Sequence, residues 1–355
     1  MLNFNFKDKN LKIVQKFWIF LIISAVIIVA GLTDMFFIRH MNFGVEFSGG
    51  ISIEVSVSGV SDLSKIEDNV NAWLKGSNEK KDVFDVDSNV QIAGTGIKTY
   101  TFRIGMTKKD ASGKEISLET MGAEGKTELV HAQEFIEDED KGLHAHLVTV
   151  YGEDATIEVV THAIGEDVKN YTVRNAAIAV AVAVVVILAY IAIRFTILAG
   201  VSAIIALLHD VLIMIALTTI FQLPVNMTFI AAVITIVGYS INATIVVFDR
   251  IRELQVLPSN LEKTDTEIAN EAVASTLSRS ILTTITTLVM IIALAIFGSS
   301  TIREFALPII FGLIAGLYSS VLLSASVWVK LRKLFKQENK KPTKKIKKIK
   351  EQSSL

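Results

Sequence analysis

Residues 174–194 read RNAAIAVAVAVVVILAYIAIR, and residues 197–221 read ILAGVSAIIALLHDVLIMIALTTIF. Each segment is apolar and long enough to cross the hydrocarbon core of a bilayer, which takes about 20 helical residues. Only Phe195 and Thr196 separate the two segments, so the two predicted helices must form an antiparallel hairpin. The chain is therefore predicted to be an α-helical membrane protein.

Four further segments have the same character, which makes six predicted transmembrane helices. The first is about 22 residues long, and no small-residue cleavage site follows it, so we interpret it as a retained helix rather than a cleaved signal peptide. The 51% content of hydrophobic residues agrees with six spans. The four additional segments are 17–38, 225–248, 279–298 and 305–330.

Basic residues near the spans predict the orientation. Lysine and arginine concentrate before the first span, in the turn after the second, in the loop after the fourth and beyond the sixth. In a chain with six spans, these four regions all lie on the same side of the membrane. The excess of basic residues in cytoplasmic loops assigns that side to the cytoplasm of a cell inner membrane. We expect the basic tail to contact membrane lipids and no nucleic acid. The predicted cytoplasmic parts are 1–16, about 249–278 and 331–355.

The segment between the first and second spans, residues 39–173, is predicted to be an extracytoplasmic domain. From Met41 to Thr172 it carries 12 basic and 24 acidic residues, against 23 basic and 12 acidic residues elsewhere. Residues 51–57 alternate strictly, which is typical of a strand. The order of predicted elements is β-α-β-β-α-β, which indicates an α+β ferredoxin-like fold.

The other elements of this domain follow from similar patterns. Residues 89–93 and 98–104 predict a hairpin, and 155–160 another strand. A helix capped by Ser61 runs to about Leu74, a second covers 127–137, and the polar stretch 105–126 is expected to be a long loop. The apolar face of the first helix comprises Leu63, Ile66, Val70 and Trp73.

Polar and ionisable groups inside a span carry a high free-energy cost of desolvation. His209 and Asp210 in the third span are therefore candidate functional residues. Asp210 either carries a proton or makes a buried hydrogen bond to a neighbouring helix. Adjacent residues of a helix point about 100° apart. We therefore expect His209 and Asp210 not to form a dyad.

The fourth to sixth spans hold further candidates. The fourth is unusually polar around Tyr239 and Asn242, and spacing favours close helix packing at Gly238. Arg279 in the fifth span either extends to the membrane interface or is a fixed charge near an aspartate. Gly312 and Gly316 in the sixth span form a close-packing motif.

Several classes of chemistry are not predicted. The chain has no cysteine, which excludes disulfides, iron–sulfur clusters and cysteine-ligated zinc. It has no HExxH, GxSxG or Walker motif, and His209 has no partner at metal-ligand spacing. We predict no cofactor, no metal site and no enzymatic activity.

The motifs resemble one family, SecF, whose members are the smaller subunits of the SecDF accessory complex of the bacterial Sec translocase. The resemblance covers about 220 residues of the chain, mainly its membrane part. The segments that carry it are Asn42–Gly50, Tyr190–Phe195, Ala206–Asp210, Gly238–Asn242, Val246–Glu253, Leu277–Arg279 and Thr283–Thr287.

This resemblance implies an RND-like arrangement in which the subunit pairs with SecD. The pair would help to draw unfolded polypeptide out of the SecYEG channel, with SecA acting indirectly, and proton flow would move the outer domains. Gly49 and Gly50 lie where such a domain joins its helix, so they are candidate hinge residues.

One departure from the family matters. Where the family usually has Asn-Asp in the fourth span, this chain has Asn242-Ala243, and alanine cannot carry a proton. Glu46 replaces a usual aspartate. Three explanations stay open for Ala243: a carboxylate from SecD or from Asp210, assistance that does not use protons, or an engineered substitution. We expect Asp210 and Arg279 to form what remains of the polar membrane site.

Three other functions are compatible with parts of the sequence. An RND-type efflux subunit for small molecules shares the six-helix unit, but usually has two such units in one chain. An intramembrane hydrolase would need paired catalytic groups at one depth, whereas only Asp210 lies at mid-span. A proton-independent structural scaffold for SecD is the third, and Ala243 favours it.

Overall fold

The computed structural model describes residues 12–58, 65–93, 97–121, 126–152 and 155–335 of the chain, with no side chains described for Ser58, 87–93, 97–99 and Ser300. Within these ranges it consists of a helical part and a small sheet domain. The sheet domain is inserted between the first and second long helices. The predicted cap at Ser61, together with Leu63, lies outside the described residues.

Six helices of the described residues are long and apolar enough to cross a membrane, which confirms the predicted number. The first contains α1 (Phe17–Thr33), and the sixth contains α10 (Ser300–Tyr318), a π-helical turn (Ser319–Ser324) and α11 (Ala325–Leu334). The six candidate spans are Val14–Ile38, Glu166–Arg194 (α6), Ile197–Ile220 (α7), Met227–Val256 (α8), Asp265–Phe297 (α9) and Thr301–Leu334.

Several helices extend beyond the apolar segments that predicted them. Most of the expected loop at 249–278 is helical, because α8 continues to Val256 and α9 begins at Asp265. A capping box between Thr264 and Glu267 satisfies the first free amides of α9. Hydropathy detects only the part of a helix that faces hydrocarbon, so it missed these polar ends.

The sheet domain has the predicted ferredoxin-like topology. Its strands are ordered β2-β3-β1-β5, all neighbours antiparallel, with a short strand β4 added beside β3. The strands are β1 (Gly50–Ser58), β2 (Val83–Ala93), β3 (Ile97–Lys109), β4 (Glu115–Ser117) and β5 (Thr156–Ile164). The helices are α2 (Val45–Ser48), α3 (Ile66–Ala72), α4 (Glu128–Glu137) and α5 (Leu143–Tyr151).

The core of this domain forms between one face of the sheet and the helices. The alternation of residues 51–57 puts four aliphatic side chains of β1 fully out of solvent, and the predicted face of α3 packs on them. The buried side chains of these two elements are Ile51, Ile53, Val55, Val57, Ile66 and Val70, and Trp73, directly after α3, packs with them.

Two details of this domain were not predicted correctly. The expected long loop at 105–126 is wrong in part, because β3 continues to Lys109 and β4 pairs with it at Thr107 and Ser117. Leu118 beyond β4 is fully buried and holds the segment to the core. The prediction overlooked this single apolar residue because the residues around it are mostly polar. Helix α5 was not among the predicted elements.

A buried ion cluster fixes the end of β3. The Nζ of Lys108 lies 2.9 Å from a carboxylate oxygen of Asp82 and 3.1 Å from one of Glu128. Burial lowers the pKa of Lys108, but the hydrogen bonds to the two carboxylates outweigh it and hold its pKa above the usual 10.5. The ammonium therefore stays charged, and it ties β3 to the start of α4.

Candidate functional site

Asp210 lies at the centre of a buried polar cluster between α7, α8 and the π-helical turn. Its side chain is fully buried. Ser240 of α8 donates a short hydrogen bond to Oδ2, and Ser319 of the π-helical turn donates another at 2.8 Å. Two hydroxyl donors from two other segments thus converge on one carboxylate oxygen. These hydrogen bonds offset part of the desolvation free energy of a carboxylate that is buried away from water.

His209 completes the cluster, contrary to expectation. Its Nδ1 lies 2.9 Å from Oδ1 of Asp210, so the prediction that the two adjacent residues form no dyad is wrong. The Cα–Cβ bonds diverge, but rotation about the side-chain torsions brings the ring nitrogen back to the carboxylate. Within the described chain, Nε2 of His209 is buried without a hydrogen-bond partner.

Tyr318 links this cluster to the first span. Its ring stacks on the imidazole of His209, with centroids 5.9 Å apart and planes 16° apart. Its hydroxyl donates to the carbonyl oxygen of Phe20 in α1 at 2.6 Å. The cluster therefore connects four segments of the helical part, and Tyr318 is a member that the sequence patterns did not identify.

The π-helical turn gives the sixth span its part in the cluster. A π-helical turn adds a residue to the local repeat and is often found at functional sites. Ser319, Ser320 and Ser324 are all buried in it. Ser320 and Ser324 bond carbonyls of their own helix, at 3.1 and 2.7 Å, whereas Ser319 reaches Asp210.

The structure does not bring Arg279 to Asp210. Arg279 and Asn242 are both exposed, and both line an open groove of about 570 Å³ between α8 and α9. Ser240 and Asn242 are two positions apart on α8, so they point about 200° apart around the helix. Asp210 bonds the side of α8 that carries Ser240, while Arg279 lies on the opposite side. Asp210 and Arg279 are therefore not in contact within the described chain, and the expectation that together they form what remains of the polar membrane site stays a prediction.

The exposed polar residues along this groove form a continuous surface. Arg279 makes no hydrogen bond or ion pair through its guanidinium within the described residues, and half-buried Ala243 offers no polar atom beside Asn242. We call this surface the α8–α9 face. Its exposed members are Thr235, Gly238, Asn242, Arg279, Thr283 and Thr286.

Tyr239 belongs to the contact between α8 and α9. Its hydroxyl lies 3.0 Å from the carbonyl oxygen of Thr283 and 3.1 Å from the hydroxyl oxygen of Thr287. This hydroxyl donates to the carbonyl of Thr283, which already belongs to the helix ladder of α9. Tyr239 thus fixes the spacing of the two helices that carry the α8–α9 face.

The three candidate packing glycines have different surroundings. A Cβ added at Gly312 would lie 2.5 Å from Cγ1 of Ile236, so α10 approaches α8 as closely as a glycine allows. At Gly316 the nearest atom is Cβ of Ser240 at 3.4 Å, an ordinary contact. Nothing in the described chain lies within 4 Å at Gly238, which faces outward.

Gly49 and Gly50 join α2 to β1 with positive φ angles of 77° and 107°. Both angles lie where L-residues with side chains are strained. A Cβ at Gly50 would lie only 2.0 Å from the carbonyl oxygen of Ile104. A Cβ at Gly49 would lie 3.0 Å from Sδ of Met106, the flexible end of a side chain, so Gly49 is less tightly enclosed than Gly50. Both glycines stay candidate hinge residues.

The segment before these glycines is bound to the turn between α7 and α8. Gly44 N donates to Val225 O at 2.9 Å, and Val225 N donates to Asn42 O at 2.8 Å. The side-chain amide of Asn42 donates to Gln222 O at 2.8 Å. We call residues 42–46 together with residues 222–227 the strap. The sequence patterns gave no sign of it, because its bonds are formed mostly by backbone atoms.

Glu46 closes the strap at its other end. Its Oε2 accepts a hydrogen bond from the backbone N–H of Met227 at 2.6 Å. Met227 is the first residue of α8, where free amides and the helix dipole favour a negative charge. Glu46 therefore anchors the root of the sheet domain to the start of the helix that carries Ser240 and Asn242.

No group of three or more histidine, aspartate and glutamate side chains in the described residues could hold a metal ion. The chemistry that the site offers is therefore that of a carboxylate, an imidazole and hydroxyls. Carboxyl and imidazole side chains are the groups that most often transfer protons in proteins, and serine hydroxyls donate hydrogen bonds to them.

Two family models match the chain. Residues 145–334 match the model described as the C-terminal region of the protein export membrane protein SecD/SecF. Residues 35–59, which contain Gly49 and Gly50, match the SecD/SecF GG motif. The first match covers more than half of the chain.

Named relatives and solved structures agree with these models. The chain is 33% identical to the protein translocase subunit SecF of Rickettsia akari, over 82% of each chain. It is 30% identical to subunit SecDF of Bacillus subtilis, over 87% of this chain and 36% of that protein. A crystal structure of the translocon-associated SecDF of Thermus thermophilus shares the fold, with a TM-score of 0.67 and 24% identity over 92% of this chain. The chain spans 39% of that structure.

Proposed function

Because this chain belongs to the SecD/SecF family of protein export membrane proteins, as an accessory subunit of the SecF type, we propose that it forms a complex with SecD that acts on polypeptides leaving the SecYEG channel. Unfolded polypeptide emerging on the outer side is the proposed cargo, and SecA acts on it only indirectly, from the cytoplasm. The pairing with SecD is supported by the similar proteins named SecDF. This chain matches 36% of the length of one of them and 39% of the length of the other.

The α8–α9 face is the observation that carries this proposal. A guanidinium and an amide exposed on these helices would face hydrocarbon or the membrane interface in an isolated subunit, where neither group is fully solvated. Such groups are usually covered by protein or pair with one another. We therefore place the SecD helices against this face.

The same face determines which carboxylate can serve Arg279. Ala243 cannot supply one, and Asp210 lies on the other side of α8. Two carboxylates of this chain do line the groove, but Asp249 already pairs with Arg194 and Glu253 with Arg250. We propose that SecD provides a carboxylate opposite Arg279, and that proton exchange at this pair and at Asp210 couples the complex to the proton gradient. Of the three explanations for Ala243, the geometry favours the one that involves SecD.

Substituting Gly238→Leu tests the SecD contact. The new side chain meets nothing in the described chain, so the subunit should fold normally, while overpacking at a helix interface costs about 1–3 kcal/mol. We expect the amount of SecD that copurifies with the subunit to fall about tenfold. Ala179→Leu, at an exposed position on α6, is the matched control and should retain SecD. Unchanged SecD recovery with Gly238→Leu would place the contact elsewhere.

A second function, a proton-independent scaffold for SecD, is favoured by one observation: Ala243 stands where the family usually has aspartate. The two functions differ in an export assay with and without a proton gradient. A scaffold stimulates export equally in both conditions, whereas a coupled subunit stimulates it more with the gradient. Small-molecule efflux receives no support, because the named relatives are translocase subunits.

We also propose that the chain lies in the inner membrane with both ends in the cytoplasm and the sheet domain outside. An even number of candidate spans places both ends on one side. The basic residues then lie on the cytoplasmic side, and the acidic sheet domain lies on the other.

A further inference from the structure

A lysine in an aromatic corner lies where the first and sixth spans meet on the side of the chain termini. The Nζ of Lys330 in α11 lies 4.2 Å from the ring centroid of Phe17 and 4.1 Å from that of Trp18. The two rings contact each other edge to face, with centroids 5.5 Å apart. The rings occupy one side of the ammonium by cation–π contact and leave its other N–H donors available.

The surroundings of this corner are basic. Lys12 and Lys16 precede the two rings in sequence, and Lys333 follows Lys330 by one helical turn, all three with exposed side chains. None of the four lysines forms an ion pair within the described part of the chain. The other nearby cation, Arg332, is already bound to buried Asp265 at 2.9 Å. The positive charge of the corner is therefore not neutralised by the described residues.

An apolar stripe begins directly below the corner. Trp18 is 61% exposed, and Ile22 and Val26 continue the same exposed face of α1 at intervals of four residues. These residues lie in the first candidate span, so the stripe faces hydrocarbon while the lysines lie at its edge. Tryptophan rings concentrate at this depth in membranes. The corner thus combines free positive charge with an apolar surface of acyl-chain length.

We propose that this corner binds an anionic phospholipid of the adjoining leaflet. The phosphate contacts the ammonium groups of Lys330 and Lys16, the indole of Trp18 packs on the glycerol region, and one acyl chain lies along the stripe. Lysines at the ends of spans contact headgroups in this way, and each adds to the attraction of anionic lipid. A soluble polyanion would leave the apolar stripe unused, which is why a lipid is the better occupant.

Native mass spectrometry of the full, delipidated chain tests this proposal. The chain is titrated with phosphatidylglycerol or with phosphatidylcholine. We expect phosphatidylglycerol to bind the wild-type chain about tenfold more tightly than phosphatidylcholine. The double variant Lys16→Gln/Lys330→Gln should lose most of that preference. Lys330→Arg, which keeps the charge, should retain it and shows that the site survives substitution.

The matched control is Lys263→Gln, which removes a lysine whose charge is already paired with Glu271 and should leave lipid preference unchanged. Equal phosphatidylglycerol preference in the double variant and the wild type would overturn the proposal. Displacement of the lipid by millimolar inorganic phosphate would overturn it too, because it identifies a free-anion site. Tighter binding of a short RNA at the same lysines would identify a polyanion surface instead. The inference does not depend on the SecD contact.

Discussion

A carboxylate inside a span needs its lone pairs occupied, and Asp210 takes hydrogen bonds from Ser240, Ser319 and His209. This set explains how Asp210 is tolerated without the arginine that we expected beside it. It does not distinguish the two roles that the sequence left open, since the same hydroxyls would bond a structural aspartate and a proton carrier alike.

Replacing Asp210 by asparagine separates these roles. Asparagine has nearly the same shape and retains an acceptor for the two serine hydroxyls, but it cannot exchange a proton at neutral pH. We expect the subunit to fold and to lose the gradient-dependent part of export in a vesicle assay. Ser319→Ala, which removes one donor and keeps the carboxylate, is the control and should retain that part. Equal export by Asp210→Asn and wild type in both conditions would leave Asp210 purely structural.

The reverse change at Ala243 follows from the same argument. Ala243→Asp restores the carboxylate that the family usually has beside Asn242 on α8. If a proton relay was lost at this position, gradient dependence of export should rise.

Gly312 and Gly316 share one motif but differ in the space around them. Gly312→Ala would push a methyl group into the branched side chain of Ile236, whose rotamers are restricted, so it should destabilise the helical part by about 1–3 kcal/mol. Gly316→Ala has room and should change stability by less than about 1 kcal/mol. Thermal unfolding in detergent measures both. Equal melting temperatures for the two variants would contradict the close approach of α8 and α10.

At the scale of elements, the strap joins the sheet domain to the membrane helices by two kinds of hydrogen bond. Its backbone bonds hold Gly44 to Val225, and its end bond holds Glu46 to the start of α8. A shift of α8 would therefore move the root of the sheet domain directly. Gly49 and Gly50, between the strap and the rest of β1, stay the candidate hinge of the sheet domain.

Glu46→Ala should loosen this connection. It removes a charged acceptor from the first amide of α8, a contribution of about 1 kcal/mol, and hydrogen exchange at the amides of Gly44, Val225 and Met227 should rise about fivefold. Glu158→Ala, an exposed carboxylate on β5, is the control and should leave these amides unchanged. Exchange at wild-type rates in Glu46→Ala would mean that the backbone bonds alone hold the strap.

At the scale of the whole molecule, orientation can be read with single cysteines, because the chain has none of its own. Ala111→Cys lies on an exposed turn of the sheet domain, and Glu262→Cys lies between α8 and α9. A membrane-impermeant maleimide should label only Ala111→Cys in intact spheroplasts and both after permeabilisation. Labelling of Glu262→Cys in intact cells would reverse the proposed topology.

The sequence by itself determined the features that depend on composition along the chain. Six spans follow from the length of apolar runs, and the ferredoxin-like domain follows from period-two alternation and the order of its elements. The family also follows from local motifs such as Gly49-Gly50 and Ala206–Asp210, and the family match confirms it. These signals are local, so they survive without knowledge of the contacts between segments.

Only the tertiary structure decided which residues meet. It turned Asp210 toward Ser240 and Ser319 rather than Arg279, paired it with its own neighbour His209, and built the strap from backbone atoms that carry no sequence signal. The physical reason is that a residue's partner depends on how each helix is rotated about its axis, and packing of distant segments fixes that rotation. A residue two positions further along a helix points in almost the opposite direction. This alone explains why Ser240 contacts Asp210 while Asn242 lies on the α8–α9 face.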